Sequence, residues 1–354
     1  GVVSAAELPP CPGGHYYNFY PLAVPVLAAP FVALMQQGTW LLAPLLEARL
    51  PSGLHPAIRS FLTGDLMGGR PLAELWTAAF LAALAAALQF KIAARFLPFR
   101  HASLLTLVFA FGTSTWSVGS RSLMQHGPSL LMLTAALYLA VRALENPRLL
   151  PVAALPLAAA VTLRPTNAIS AAAFTLFAAA HHGRRLPQFL LWSLPVALPF
   201  FAYNLSVRNG VLPLYFLTRP RYSLSALAAG LPAHLFSPSR GLFVFTPVYL
   251  FSLAGIYFSF RRRWLFPLAP YLAAIPLLHA LAVAPWLPGH TYGPRFFTEM
   301  AYLLVPFLIP ALLEWERMRG LLRTAAAVLF LAACLWGGLV HFRGGTSVAA
   351  NAWS

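Results

Sequence analysis

The chain has 354 residues, of which 59% are apolar and only 9% are charged. A soluble domain carries about 25% charged residues, so this composition excludes an ordinary water-exposed globular protein. The net charge of +16 comes from 24 basic and 8 acidic residues. These arginines lie in short gaps between apolar runs and do not form one basic domain, which excludes nucleic acid as a partner.

Apolar runs recur along the whole chain, and a run of about 20 residues crosses a bilayer as one helix. We therefore predict an all-α fold, a polytopic transmembrane bundle of about ten spans. In chain order, the predicted spans are 72–90, 102–119, 128–141, 149–163, 168–181, 187–204, 242–260, 265–284, 301–313 and 324–341.

The segment before the first of these spans carries one further apolar stretch, Tyr20–Gln36, with three prolines. Proline in a helix interior removes backbone hydrogen bonds, so we predict a helix that lies in the interface or re-enters the membrane. The alternative is an ordinary span with a second crossing inside 38–70. The chain starts at Gly1 without a methionine or a basic flank, which predicts an incomplete N-terminus.

The distribution of basic residues predicts the orientation. Five short segments hold 13 of the 24 basic residues, and cytoplasmic loops collect Lys and Arg. These predicted cytoplasmic segments are 91–100, 142–148, 184–185, 261–263 and 317–323. The chain then forms a single domain with an outer segment 1–70, a bundle 71–341 and an outer tail 342–354.

Polar residues concentrate at the outer ends of the predicted spans, and several of them are arginines. Arg164 lies in a very short turn, Arg295 follows Gly293-Pro294, and Arg240 lies between Ser-Pro-Ser and Gly. The planar guanidinium binds phosphate oxygens with two parallel hydrogen bonds, so this end suits a phosphate on a tail that stays in the bilayer. The alternative is that each arginine only extends into the headgroup layer. Arg295 and Glu299, four residues apart, would then form a simple helix-surface pair.

Several of these outer motifs occur together and in a characteristic order. They are Gly14–Pro21, Phe111–Trp116 with Gln125–Gly127, Arg164–Thr166, Ser237–Leu242 and Tyr292–Phe296. In these motifs the chain resembles the GT-C superfamily of membrane glycosyltransferases. The resemblance is greatest to the bacterial relatives of protein O-mannosyltransferases and lipid A aminoarabinose transferases, and it covers nearly the whole chain.

The resemblance implies transfer of a sugar from a polyprenyl-phosphate donor to a glycan, lipid or protein acceptor. The reaction would invert the anomeric centre on the periplasmic or exterior face of a bacterial inner membrane. Cationic groups would stabilise the departing lipid phosphate. The residues implied for the phosphate are Arg295, Arg164 and Arg240, with Arg121 and His126 as further candidates. Those implied to line the substrate are Tyr16, Tyr17, Tyr20, Tyr292 and His290.

The sequence departs from this pattern at the catalytic carboxylate, which in the superfamily follows a first transmembrane helix. The outer carboxylates available here are Glu7, Asp65 and Glu299, and none lies in the expected motif. Some members of the superfamily use a divalent metal, but no cluster of ligands in the sequence assigns one.

Two other classes of function stay open. One is a transporter or flippase for an anionic lipid or glycan, and the near absence of ionisable residues inside the spans argues against it. The other is a non-catalytic scaffold subunit of a membrane complex, which the missing carboxylate favours.

Overall fold

The computed structural model describes residue 20 and the ranges 22–208, 210–217, 222–286 and 292–347. These residues form helices joined by turns and loops, and no β-strand lies among them, which confirms the predicted all-α fold. Four helical stretches in these ranges are long and apolar enough to cross a membrane, which indicates an integral membrane protein. They are Ala23–Glu47, Arg70–Ala93, Pro165–Val207 and Gly320–Thr346.

The described part of the chain contains sixteen α-helices. They are α1 (Ala23–Glu47), α2 (Pro56–Leu62), α3 (Arg70–Ala93), α4 (Phe99–Phe111), α5 (His126–Ala143), α6 (Ala154–Leu163), α7 (Ala168–His182), α8 (Leu186–Arg208), α9 (Leu214–Leu217), α10 (Leu224–Phe236), α11 (Leu242–Phe245), α12 (Tyr249–Arg261), α13 (Ala269–Val283), α14 (Ala301–Leu304), α15 (Leu308–Trp315) and α16 (Gly320–Thr346). A π-helical turn, Thr115–Gly119, precedes α5, and a 3-10 turn, Arg295–Phe297, precedes α14.

The core of the bundle is built around α3 and α5. Helix α3 packs against α4 and α5, and α6 packs between α5 and α8. The buried face of α3 is rich in alanine, including Ala78, Ala82 and Ala85. Small side chains let helix backbones approach closely, which is how helices associate in lipid.

Ion pairs connect four of the five segments that carry the predicted cytoplasmic arginines. Residues in these segments or directly beside them form three contacts: Arg95 with Glu145, His101 with Glu316, and Arg262 with Glu314. The outer motifs are also joined to one another, as described below.

One predicted span, 301–313, is two helices, because Pro306 interrupts it. Pro306 has no N–H to offer the carbonyl of Tyr302, and the side chain of Gln89 donates to that carbonyl instead (3.1 Å). The hydroxyl of Ser252 likewise donates to the carbonyl of Leu304 (2.6 Å). Side chains from α3 and α12 therefore satisfy the backbone groups that the break leaves open.

Other predicted spans are also shorter or interrupted. The run 102–119 is α4 followed by the π-helical turn, and the run 242–260 is α11 and α12 with a break at Thr246-Pro247. Helices α4 and α12 have 13 residues each. At a rise of about 1.5 Å per residue they measure about 20 Å, less than the roughly 30 Å of a hydrocarbon core. In these two cases the helix is shorter than the apolar run from which it was predicted.

Helix α1 is longer than the predicted interfacial or re-entrant helix in Tyr20–Gln36. It runs without interruption through Pro30 and Pro44 to Glu47, so residues 38–47 are helical and not part of a loop. Each proline removes only one hydrogen bond of a 25-residue helix. Its length and composition suit a membrane span.

Candidate functional site

Three polar side chains from separate elements meet inside the bundle. Arg164 follows α6, His126 begins α5, and Glu299 lies between the 3-10 turn and α14. Their exposed fractions are 4%, 5% and 0%. Burial of this degree is rare for charged groups unless they are paired, so the arrangement is specific.

The backbone at Arg164 explains how its side chain enters the bundle. Pro165 disfavours the helical conformation at the residue before it. Arg164 is accordingly extended (φ −148°, ψ 130°), and α6 ends there. The guanidinium then contacts His126 at the start of α5 and Glu299.

The three side chains form one hydrogen-bonded triad, which we call the buried triad. Arg164 Nη1 donates to Glu299 Oε1 at 2.7 Å. His126 Nδ1 lies 2.9 Å from the same oxygen and 2.5 Å from Arg164 Nη1. Its tautomer therefore decides whether His126 donates to the carboxylate or accepts from the guanidinium.

The electrostatics of the triad keep Glu299 ionised. Burial alone raises the pKa of this carboxyl, but the charge of Arg164 and the interaction with His126 outweigh it and lower the pKa to about 2. A carboxylate held in this way is a weak proton acceptor at neutral pH. Its main effect here is to fix the position of Arg164.

A second guanidinium, that of Arg295, lies beside the triad. Burial first, and then the charge of Arg164, lower the pKa of Arg295. The guanidinium stacks over the ring of Phe296, 5.4 Å from its centroid. The rings of Tyr20 and Tyr215 pack together at 5.4 Å, and both residues also influence the pKa of Arg295.

This region contains buried polar atoms without a hydrogen-bond partner among the described residues. They are Arg164 Nε, Arg295 Nε, Gln125 Nε2, Thr298 Oγ1 and Glu299 Oε2. Two guanidiniums and one carboxylate leave one excess positive charge when His126 is neutral. Unused N–H groups in a positively charged, water-poor setting are suited to binding an anion.

The triad rests on the π-helical turn before α5. Gly119, in this turn, packs against Gly127 and Thr298, the neighbours in sequence of His126 and Glu299. A side chain at Gly127 would collide with the carbonyl oxygen of Gly119. Because neither glycine has a side chain, the backbone of the turn can pack directly against the residues next to His126 and Glu299.

His341 of α16 anchors the same turn. Its Nδ1 lies 2.8 Å from Ser117 Oγ and its Nε2 lies 2.9 Å from Thr246 Oγ1, at the break between α11 and α12. Arg121 donates to the carbonyl of Gly344 at 2.8 Å. Three segments are thus connected directly: the π-helical turn with Arg121, the break between α11 and α12, and the end of α16.

The other predicted site residues lie apart from the triad or outside the described part. Asp65 is exposed and accepts hydrogen bonds from the backbone of its own turn. The hydroxyl of Tyr292 donates to the carbonyl of Val340 at 2.9 Å. Arg240 lines a separate cleft, considered below. Glu7, Tyr16, Tyr17 and His290 lie outside the described residues.

The partners of Glu299 were not predicted from the sequence. The spacing of Arg295 and Glu299 by four residues is compatible with a helical pair, but α14 begins only at Ala301, so these side chains do not share one helix face. Nor was His279 predicted, whose Nε2 lies 2.7 Å from the carbonyl oxygen of Phe296. The position of His279 inside an apolar run was the only signal for it.

The described residues do not fit a divalent metal site. No group of three or more His, Cys, Asp or Glu side chains with ligand geometry lies among them. The single carboxylate of the triad already binds Arg164 and His126 through Oε1. Its surroundings are cationic, which opposes a second cation.

Comparison with known proteins gives no relative for this chain. No protein-family model matches it, and neither a curated protein nor a solved structure is significantly similar to it. The buried triad and Arg295 are therefore the features from which a function can be inferred.

Proposed function

We propose that this protein is a membrane glycosyltransferase that takes a sugar from a polyprenyl-phosphate donor. The observation that carries the proposal is an excess positive charge at the triad: Arg164 and Glu299 are almost completely buried, and the half-buried Arg295 adds a second guanidinium. A buried cation is costly unless an anion approaches it. A phosphate on a bilayer-held tail would supply that anion.

The proposal includes a topology of about ten spans. Ten helices or broken helices would each connect the end rich in arginine with the end that carries the triad: α3, α4, α5, α6, α7, α8, α11 with α12, α13, α14 with α15, and α16. Helix α1 would lie in the interface at the triad end, as the sequence predicts, with Tyr20 beside Arg295. By the positive-inside rule, the arginine-rich end would face the cytoplasm. The triad would then face the periplasm or exterior of a bacterial inner membrane.

In the proposed reaction, an acceptor hydroxyl attacks the anomeric carbon while the bond to the phosphate oxygen breaks. Arg164 and Arg295 would stabilise the negative charge that develops on the departing lipid phosphate. Tyr20 and Tyr215 would contact the sugar beside Arg295. The acceptor would be a glycan, a lipid or a protein.

Glu299 would act as a positioning residue in this scheme. Its pKa of about 2 makes it a poor base, whereas its hydrogen bond to Arg164 fixes the guanidinium. The carboxylate that receives the proton of the acceptor would come from the outer segment, where Glu7 is a candidate.

The test is a transfer assay with the full chain in nanodiscs and a radiolabelled polyprenyl-phosphate sugar as donor. Release of polyprenyl phosphate is measured for the unaltered protein, Arg295→Gln and Arg343→Gln. Arg343 is an exposed arginine of α16 near the same end and serves as the matched control. We expect Arg295→Gln to lose transfer by at least about 100-fold, the scale of removing one transition-state donor.

Chromatography and thermal unfolding accompany the assay, so that loss of activity is separated from loss of folding. Full transfer by a folded Arg295→Gln variant would contradict the assignment of the site. Absence of transfer with every donor tested, in a folded protein that still binds the lipid phosphate, would contradict the reaction itself.

A second candidate function is a transporter for an anionic lipid, because two of the proposed spans are broken. The breaks at Thr246-Pro247 and Pro306 lie beside buried polar residues, as in the discontinuous helices of transporters. Movement of a fluorescent polyprenyl phosphate across vesicles, without hydrolysis or transfer, would favour this candidate.

A further inference from the structure

A cleft of about 560 Å³ lies between α10 and the end of α13. One face of α10 lines it with small residues, including Ala226, Ala229 and Ala233. Trp286, which follows α13, lines the opposite side. Ala229 and Ala233 remain exposed, so the cleft is open along the helix.

One end of this cleft is polar and positively charged. Arg240, Ser237 and Ser239 line it together with His234. No acidic residue is among the lining residues in the described part of the chain. Burial lowers the pKa of Arg240, which means that its charged form lacks part of its hydration.

The cleft is separate from the buried triad. The ring of His234 packs against Phe296 and Phe297. Arg295 stacks over the same Phe296, so this ring lies between the cleft and the second guanidinium of the triad region. The two cationic regions share a wall but have different linings.

We propose that the cleft binds a phosphate-bearing lipid, with its headgroup at Arg240 and a hydrocarbon chain along α10. The alanine-lined part of the cleft suits a hydrocarbon chain, which needs no hydrogen-bond partner. The guanidinium and the neighbouring hydroxyls suit phosphate oxygens. The open side allows a chain to enter from the bilayer. The inference needs a membrane-embedded protein, but it does not depend on the transfer reaction.

A second groove of similar size provides an internal control. It lies between α12 and α16, has a volume of about 600 Å³, and is lined by apolar residues that include Leu250, Ala332 and Trp336. It has no cation among its described lining residues. A hydrocarbon chain would fit it, but nothing in it would select an anionic headgroup.

Each region has its own tryptophan, which makes quenching by brominated lipids a direct test. The full chain is placed in phosphatidylcholine nanodiscs, and brominated phosphatidic acid or brominated phosphatidylcholine is added in increasing mole fraction. The emission of Trp286 is obtained by difference with Trp286→Phe, and that of Trp336 by difference with Trp336→Phe.

We expect Trp286 to be quenched by phosphatidic acid at about one tenth of the mole fraction that phosphatidylcholine requires. Arg240→Gln should abolish this preference, and Ala229→Phe should reduce quenching by filling the alanine-lined part of the cleft. Trp336 should respond equally to both lipids. Inorganic phosphate should not compete, because it has no chain.

Equal quenching of Trp286 by both lipids, or a preference that persists in folded Arg240→Gln, would overturn the proposal. Competition by inorganic phosphate would overturn the lipid assignment. Arg295→Gln distinguishes the cleft from the proposed reaction, since it should lose transfer and retain the lipid preference of Trp286.

Discussion

The ion pair between Arg164 and Glu299 joins two almost completely buried side chains, with 2.7 Å between Nη1 and Oε1. A buried pair of this kind gains its stability from mutual compensation, since neither charge is solvated by water. The consequences of removing one partner or both are therefore different.

Arg164→Leu should destabilise the protein by about 3–5 kcal/mol, because it leaves the carboxylate of Glu299 buried and uncompensated. The double variant Arg164→Leu/Glu299→Leu should recover a large part of this loss. The free energy of unfolding in mild detergent measures both. Equal losses in the single and double variants would show that the charge of Glu299 is not the cause.

The triad also predicts how stability depends on pH. The pKa of Glu299 is about 2 in the folded protein and lies below its ordinary value of 4.5. A lowered pKa stabilises the fold at every pH above the unfolded value, and this contribution is lost as the pH falls from about 4.5 to about 2. The unfolding temperature should fall across this window by less in Glu299→Gln than in the unaltered protein. Parallel curves for the two proteins would contradict the assignment.

Two adjacent glycines of α16 allow a controlled test of how closely α16 packs against the C-terminal end of α4. A Cβ atom at Gly337 would lie 2.8 Å from the carbonyl oxygen of Gly112, whereas nothing lies within 4 Å of one at Gly338. Gly337→Ala should therefore cost about 1–3 kcal/mol. Gly338→Ala should be neutral or should stabilise the helix by up to about 1 kcal/mol. Thermal unfolding of the two variants, side by side, decides whether the contact controls stability.

A double-mutant cycle tests the repair of the break at Pro306. Gln89→Leu leaves the buried carbonyl of Tyr302 without a donor and should cost about 1–3 kcal/mol. Pro306→Ala supplies the missing N–H, so in that background Gln89→Leu should cost much less. Equal costs in both backgrounds would mean that Gln89 stabilises the bundle in another way.

Hydropathy and length predicted the positions of most helices in the described part of the chain. Helix α7 covers Ala168–His182 where 168–181 was predicted, and α13 covers Ala269–Val283 within the predicted 265–284. These features are local, because apolar residues of sufficient number form a helix in lipid whatever their neighbours are.

The breaks and the partners of the site were less predictable. Thr246-Pro247 and Pro306 interrupt runs that hydropathy treats as continuous, although the prolines themselves were a visible signal. The short turn at Arg164 predicts a functional residue there, but not its burial. Its partner Glu299 is 135 positions away in sequence, and only the packing of α5, α6 and the start of α14 brings the two together.

The side-chain hydrogen bonds to the carbonyls at the break before Pro306 also have a consequence for the order of synthesis. The carbonyls of Tyr302 and Leu304 depend on Gln89 and Ser252, which both precede them in the chain. During synthesis, α3 and α12 therefore exist before α14 and α15 emerge. The two donor side chains are therefore already synthesised when the ribosome reaches the carbonyls that need them, so the break can be satisfied as soon as it is made.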